Sequence, residues 1–276
     1  MRLAHDYVVA DAGQELRRGL DRSADEFAER MAYREGRFAT REELIAAASE
    51  AWIQELHAAL RELLDPRRRT LSIGSGYGEH DVLLALAGYR VVASDIVVEA
   101  LADAARLFPE LEARPFDIFE PDAGERWDDV LIAALDYAFD DADFERALRN
   151  ARAILRPGGR VILVHRYRDT PGTWLIDRLL LPALALLMTA KARVTGSGTQ
   201  VVRREHGFRR SGREMRALVW RCGFRIGRVR SAGFAVELMR IDVHRRAPAL
   251  YRLAQRADRR LRLFNNATVL ELIPAA

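Results

Sequence analysis

A chain of 276 residues with 49% apolar content is long enough to bury a sizeable core, as one domain or as a core with an appended cap. A single cysteine, Cys222, excludes a disulfide framework and fits a reducing cytoplasm; beside Gly223-Phe224 on an apolar helix face it reads as a core residue. The net charge of +4 hides a division: residues 1–150 carry 18 Arg and 32 acids, residues 151–276 carry 26 Lys plus Arg and 8 acids, so either one half covers the other or a basic surface meets an anionic partner.

The amino terminus has only a short apolar run followed by acids, unlike a signal peptide. Residues 1–65 read as an N-terminal helical cap, with helical periodicity from Ala10 and most clearly over Thr40–Leu64. Thr40 followed by Glu43 is a capping-box pattern, and Asp65-Pro66 ends the helix. Tyr33 and Phe38 fall in the glycine-containing break before Thr40, where they either touch substrate or anchor the segment to the core.

Residues 66–276 read as the core. Leu71 and Ile73 end a buried parallel strand, and Asp81–Leu86 begins a helical pattern. Between them Gly74, Gly76 and Gly78 tolerate positive φ and lack the Cβ atoms that block a ligand lying on the backbone. The helix N-terminus that follows offers free N–H groups and a positive dipole end, a nucleotide-type arrangement. The spacing is G-x-G-x-G rather than the dinucleotide G-x-G-x-x-G, which disfavours a dehydrogenase.

Arg90–Ser94 is a second strand, ending in Asp95 17 residues after Gly78, where a carboxylate hydrogen-bonds a ribose diol. Glu112–Phe116 is a third, ending in Asp117 near an adenine edge; Trp127–Leu135 and Gly159–His165 are the fourth and fifth. This alternation predicts an α/β three-layer sandwich with a parallel sheet and crossover helices.

After the fifth strand comes an insertion at about 168–206, helical and strongly apolar from Leu179 to Met188. It is too short to span a bilayer, for which ~20 apolar residues are needed, so it roofs a pocket or meets a membrane surface. Thr195–Thr199 follows as a flexible stretch. Ser211 with Glu214 caps a helix that Gly223 terminates, Phe224–Val229 is a sixth strand, and Pro248–Leu263 is a basic helix with one apolar face. Ala267–Ile273 supplies a seventh strand.

These motifs resemble the class I S-adenosylmethionine-dependent methyltransferases over Arg69–His165 and, more loosely, Gly207–Val229. The resemblance rests on SIGSGYG at 72–78, SDI at 94–96, FDI at 116–118, ALDYAFDD at 134–141 and LRPGGRVIL at 155–163. It implies a mostly parallel seven-stranded sheet with the last strand antiparallel and an N-terminal helical lid across the cofactor site. It implies S-adenosylmethionine as cofactor, held by Ser72, Gly74, Ser75, Gly76 and Gly78 at its methionine end. Asp95 and Ile96 then serve the ribose, Asp117 and Ile118 the adenine, and Ala134 lies beneath. The chain departs from the family at Ser72, where an acid usually contacts the cofactor's amino group; a nearby carboxylate such as Glu79 would compensate.

A hydroxyl acceptor also needs a base, and His suits that near neutral pH. His165 at the end of the fifth strand and His206 after the flexible stretch are the candidates, with Tyr137 beside them. Asp136 and Tyr167 are placed to orient the acceptor, and His80 to support the cofactor. No cluster of Cys, His and carboxylates has metal-ligand spacing.

Three functions fit. The leading one is methylation of an apolar or amphiphilic small molecule such as a quinone, lipid or secondary metabolite, suggested by the apolar insertion. RNA methylation is suggested by the basic half, but the arginines lack aromatic interleaving and no RNA-binding module is recognisable, so nucleic acid is not the expected partner. Ser72 suggests a non-catalytic binding protein. A cytoplasmic location is expected, with peripheral contact to an anionic membrane through the basic half.

Overall fold

In the computed structural model the described residues are 2–11, 36–122, 124–133, 135–165, 169–175, 178–179, 181–195, 199–231, 247–261 and 268–275. Tyr33, Ala134 and Tyr167 lie outside them.

Within the described part of the expected cap, α1 (Arg41–Ala48) is capped by Thr40, whose hydroxyl accepts from the Glu43 N–H at 3.2 Å. The long periodic stretch divides in two. Ser49 closes α1, its hydroxyl donating to the Ile45 carbonyl at 2.7 Å, and α2 runs separately over Ala51–Leu63. Such a back-bond from Ser to the preceding turn competes with the helical ladder.

The core alternates strand and helix: β2 (Arg69–Ile73), α3 (Glu79–Leu86), β3 (Arg90–Asp95), α4 (Val98–Leu107), β4 (Glu112–Pro115), β5 (Trp127–Ala133), α5 (Asp141–Ala153) and β6 (Leu155–His165). After α6 (Pro171–Leu175), α7 (Leu181–Thr195) and β7 (Thr199–Arg209), the chain resumes with α8 (Gly212–Arg221), β8 (Phe224–Ser231), α9 (Pro248–Leu261) and β9 (Thr268–Pro274). Ser211 and Glu214 form a full capping box on α8, as their spacing predicts.

The seven strands lie in the order β4-β3-β2-β5-β6-β9-β8, and β9 alone runs antiparallel to its neighbours. Chain direction away from β2 reverses between β3 and β5, and that switch point is where such sheets bind ligands, beyond the carboxyl ends of the strands.

Alternate residues serve the two faces of the sheet. Leu71, Ile73, Val130, Ile132, Val161 and Leu163 pack with Phe144 and Leu148 of α5 and with Met215 and Leu218 of α8. Leu131, Ile162, Val164 and Val269 pack with Leu44, Leu60, Val82 and Leu101 on the other side. Both faces are therefore covered, giving three layers. Cys222 is buried, and burial pushes its thiol up to about 11, consistent with a core role.

A second, two-stranded sheet has no counterpart in the sequence reading. Here β1 (Arg2–Asp11) pairs antiparallel with β7, from Arg2 opposite Arg209 to Asp11 opposite Thr199. Among the described residues the insertion is thus helical up to Thr195 and extended from Thr199, and a strand lies N-terminal to the cap helices. Nothing local announces either strand, because ten residues pair with eleven others about two hundred positions away.

Among the described residues, several ion pairs join the two unevenly charged halves. Arg156 pairs with Asp128, Arg160 with Asp129, Arg210 with Asp141, Arg221 with Glu145 and Arg230 with Glu62, each joining the basic half to the acidic half.

Candidate functional site

Loops at the carboxyl edge converge around the glycine turn after β2. Gly74, Gly76 and Gly78 have φ of 73°, 56° and 75°. A Cβ on Gly78 would lie 3.1 Å from that of Ala104, so both the positive φ and the tight space favour glycine at the N-cap of α3.

The turn is fastened to β3. Gly74 and Ser75 N–H both donate to the Ser94 carbonyl at 2.9 and 3.0 Å, and Ser94 N–H donates to the Ser75 hydroxyl at 3.1 Å. Asp95 accepts from the Gly76 N–H at 2.8 Å and the Val97 N–H at 3.0 Å, one oxygen for each. Burial raises the Asp95 carboxyl and these N–H groups oppose it. The expected ribose ligand is therefore buried and also braces the loop.

Ile96 is exposed at the neighbouring strand end, whereas Ile118 packs into the core. Asp117 is half-buried and accepts from the Phe119 N–H at 2.8 Å, an Asx turn.

The N-terminal cap reaches this edge. Phe38 is buried and meets Tyr77 of the glycine turn edge-on, ring centroids 5.8 Å apart, with Arg37 stacked 4.2 Å from the Tyr77 centroid. Asp103 of α4 accepts from the Gly36 and Phe38 N–H groups at 3.2 and 2.9 Å. Phe38 thus anchors the cap against the loop, the second of its two expected roles.

His165 is fully buried at the end of β6. Its Nδ1 is bonded to the carboxylate of buried Asp136, and its Nε2 donates to the Arg210 carbonyl at 3.3 Å. Arg210, equally buried, donates to the carbonyls of Asp136 and Phe139 at 2.9 and 2.8 Å and to Asp141 at 2.8 Å. These groups lock the short 3-10 turn Asp136–Ala138 to β6 and to the start of α8. With both nitrogens committed, His165 has none to take a proton from an acceptor, and Asp136 faces the histidine rather than a pocket. Tyr137 of the same turn is part-exposed. β7, which carries His206, packs against that turn. His80 follows the glycine turn; burial and His57 hold it neutral, its pKa lowered to about 4.

The residue that sequence reasoning missed is Asp81. In the first turn of α3 it reads as an ordinary acid facing the helix dipole, yet it is 1% exposed and lies beside the hydroxyls of Ser72 and Ser75. Its Oδ1 has no hydrogen-bond partner. Glu79, the compensating acid expected from the sequence, is less buried and lies in the field of Arg37.

A bare-backbone turn at the switch point, Asp117 and Ile96 at adjacent strand ends, and an unspent buried carboxylate suit an adenosyl amino acid. A separate cavity of about 780 Å³, lined by Leu63, Arg68, Gly159, Arg160, Arg228 and Glu271, lies at the amino edge of the sheet among ion-paired side chains.

A family model described as a methyltransferase domain matches residues 42–229, well over half of the chain. Among solved structures, the CcbJ methyltransferase from Streptomyces caelestis is 16% identical with a TM-score of 0.54, over 84% of this chain and 96% of that one. The 1,6-didemethyltoxoflavin-N1-methyltransferase of Burkholderia thailandensis, solved with 1,6-didemethyltoxoflavin and S-adenosylhomocysteine, is 16% identical. Its TM-score is 0.51, over 98% of this chain and 96% of its own. The mitomycin 7-O-methyltransferase MmcR is 19% identical with a TM-score of 0.52; 85% of this chain is covered, but it spans only 57% of that protein. At these identities the likeness is one of fold. No curated protein sequence matches.

Proposed function

The chain belongs to the S-adenosylmethionine-dependent methyltransferase family, and on that premise we propose that it methylates an oxygen, nitrogen or carbon atom of a small apolar or amphiphilic molecule. The observation that carries this reading is the glycine turn at the switch point, followed after β6 by an insertion that exposes Trp174, Leu179, Leu186 and Leu187. Exposed apolar side chains on the insertion that follows β6 suit a greasy acceptor better than a polyanion. The names of the toxoflavin and mitomycin enzymes, both small-molecule methyltransferases, support the same class.

When bound, the cofactor supplies a methyl group already activated on a cationic sulfur. The protein's own task is placement. The glycine turn, Ser75, Ile96 and Asp117 hold the adenosyl amino acid, and the Asp136–His165–Arg210 lock fixes the turn that carries Tyr137. Orientation of this kind is worth up to ~7–11 kcal/mol. We assign Tyr137 and His206, on that turn and on β7 packed against it, as the groups to take a proton from a hydroxyl acceptor.

Thermal unfolding with S-adenosylhomocysteine, S-adenosylmethionine and NAD in parallel tests the cofactor. A ligand at 100 times its Kd stabilises by ~2.7 kcal/mol, or about 5–10 °C at this size. The adenosyl compounds alone are expected to give it. Transfer of labelled methyl to panels of phenols, quinols, lipids and mixed RNA then tests the acceptor; labelling of RNA alone would overturn the small-molecule reading.

A second reading concerns membranes. On α7, exposed Leu186, Leu187 and Val194 accompany Arg193, a combination suited to the surface of an anionic bilayer. Failure to sediment with anionic vesicles at low salt removes it. Among the described residues no helix is long and apolar enough to cross a membrane.

A further inference from the structure

We propose that Asp81 is the anionic partner of the cofactor's α-ammonium group, supplied from α3 in place of the acid that Ser72 lacks on β2. The proposal rests on S-adenosylmethionine being the cofactor and assigns a contact within that site.

Four carboxylates are buried or nearly so around the glycine turn, and three have work to do inside the protein. Asp95 accepts two backbone N–H groups, Asp103 accepts two and pairs with Arg106, and Asp136 is bonded to His165. Asp81 differs. It is 1% exposed, its Oδ1 is unpartnered, and among the described residues no cation pairs with it. The charged neighbour that acts on it is Glu79, of the same sign. Burial pushes its pKa up to about 6, and the hydroxyls of Ser72 and Ser75 draw it only part of the way back.

An isolated buried charge of this kind costs several kcal/mol, and a fold keeps one where a ligand cation covers it. Its position identifies the cation. Ser72 and Ser75 flank the bend at which β2 gives way to bare glycine backbone, and their hydroxyls lie 3.3 Å apart. A primary ammonium carries three N–H donors and is matched by one carboxylate oxygen plus hydroxyl and carbonyl oxygens. Asp81 Oδ1 with the Ser72 and Ser75 hydroxyls is such a set, reached from the helix instead of the strand. Glu79 is a poorer choice, because Arg37 already provides it with a positive neighbour.

Calorimetry with two ligands tests this: S-adenosylhomocysteine, which carries the ammonium, and 5′-methylthioadenosine, which keeps the adenosine and thioether but lacks the amino acid. Asp81→Asn is expected to weaken S-adenosylhomocysteine at least tenfold and leave 5′-methylthioadenosine within about twofold. The exchanged variant Ser72→Asp/Asp81→Ser, which returns the acid to the strand, is expected to recover most of the loss. Equal affinity of wild type and Asp81→Asn for S-adenosylhomocysteine would overturn the assignment. So would an equal loss for both ligands, since Asp81 would then only shape the loop. Should Asp81→Asn fail to fold, Asp81→Ser with the same ligand pair decides the matter. If wild-type protein binds neither ligand, the cofactor reading itself falls and takes this proposal with it.

Discussion

The two edges of the central sheet treat buried charge in opposite ways. At the amino edge the buried acids Asp129 and Glu271 are answered. Fully buried Asp129 accepts from Arg68 at 3.0 Å and Arg160 at 2.9 Å, and Glu271 pairs with Arg160 and Arg228. The same arginines close the end of α2: Arg160 and Arg228 donate to the Leu63 carbonyl at 2.7 and 3.1 Å, where cations suit the helix dipole. At the carboxyl edge, among the described residues, Asp81 is buried with no counter-charge. The first arrangement secures structure from within the chain; under the proposal above, the second is completed by the ligand's ammonium.

The largest effect should come from breaking the satisfied edge. Asp129→Ala leaves Arg160 and Arg68 facing each other without their acid. Removing one partner of a buried pair costs about 3–5 kcal/mol, a fall in Tm of roughly 6–20 °C for a chain of this size. Affinity for S-adenosylhomocysteine should stay unchanged at a temperature where the variant is folded. Glu271 adds a pH signature. Its folded pKa is depressed to about 2 by Arg228 and Arg160, which outweigh its burial. A depressed carboxyl stabilises the fold above its unfolded pKa near 4.5, and the contribution is lost as pH falls from there toward 2. Glu271→Gln should flatten acid unfolding in that window; an unchanged acid limb would show that the pair contributes little.

The Asp136–His165–Arg210 lock belongs to the first kind of chemistry although it sits at the second edge. His165→Ala strands the Asp136 carboxylate and frees the Arg210 carbonyl, at a cost of about 2–4 kcal/mol. Stability should drop first, with the effect on turnover following from displacement of Tyr137. If His165→Ala melted like the wild type and lost only turnover, the ring would be a base after all.

How legible all this was depended on how local each cause is. The strand–glycine–helix passage from Leu71 to Leu86 carries its own geometry: three positive-φ glycines, a two-residue strand period and an apolar helix face, each readable within these sixteen residues. The caps at Thr40 and Ser211 are equally local. The β1–β7 pairing is not, since its register is set between segments about two hundred positions apart. His165 shows a different limit. A histidine at a strand end near the site looks like a base until Asp136 and the Arg210 carbonyl, 29 and 45 residues away in sequence, are seen to hold its nitrogens. Asp81 was hidden by an adequate alternative, because an acid in a first helical turn needs no further reason. Ser72 and Asp81 are nine positions apart, on a strand and a helix, and only folding puts the hydroxyl beside the carboxylate.

The smallest effect has the opposite sign and sharpens the contrast most. The Asp81 carboxyl has its folded pKa raised from 3.8 to about 6. The folded state therefore holds a proton more tightly than the unfolded chain. Free protein is most stable with respect to this group below about pH 4, and stability declines as pH rises toward 6 and then levels. At about 1.4 kcal/mol per pKa unit, the ionised group costs roughly 2–3 kcal/mol at neutral pH. Asp81→Asn removes that cost, so free Asp81→Asn should melt higher than wild type at pH 7.5 and about equally at pH 4. Saturating S-adenosylhomocysteine should reverse the order at pH 7.5, because the wild type gains a partner for its charge and the variant does not. A variant that is less stable than wild type without ligand would place Asp81 with the satisfied acids of the other edge, as a structural acceptor whose partner is already present.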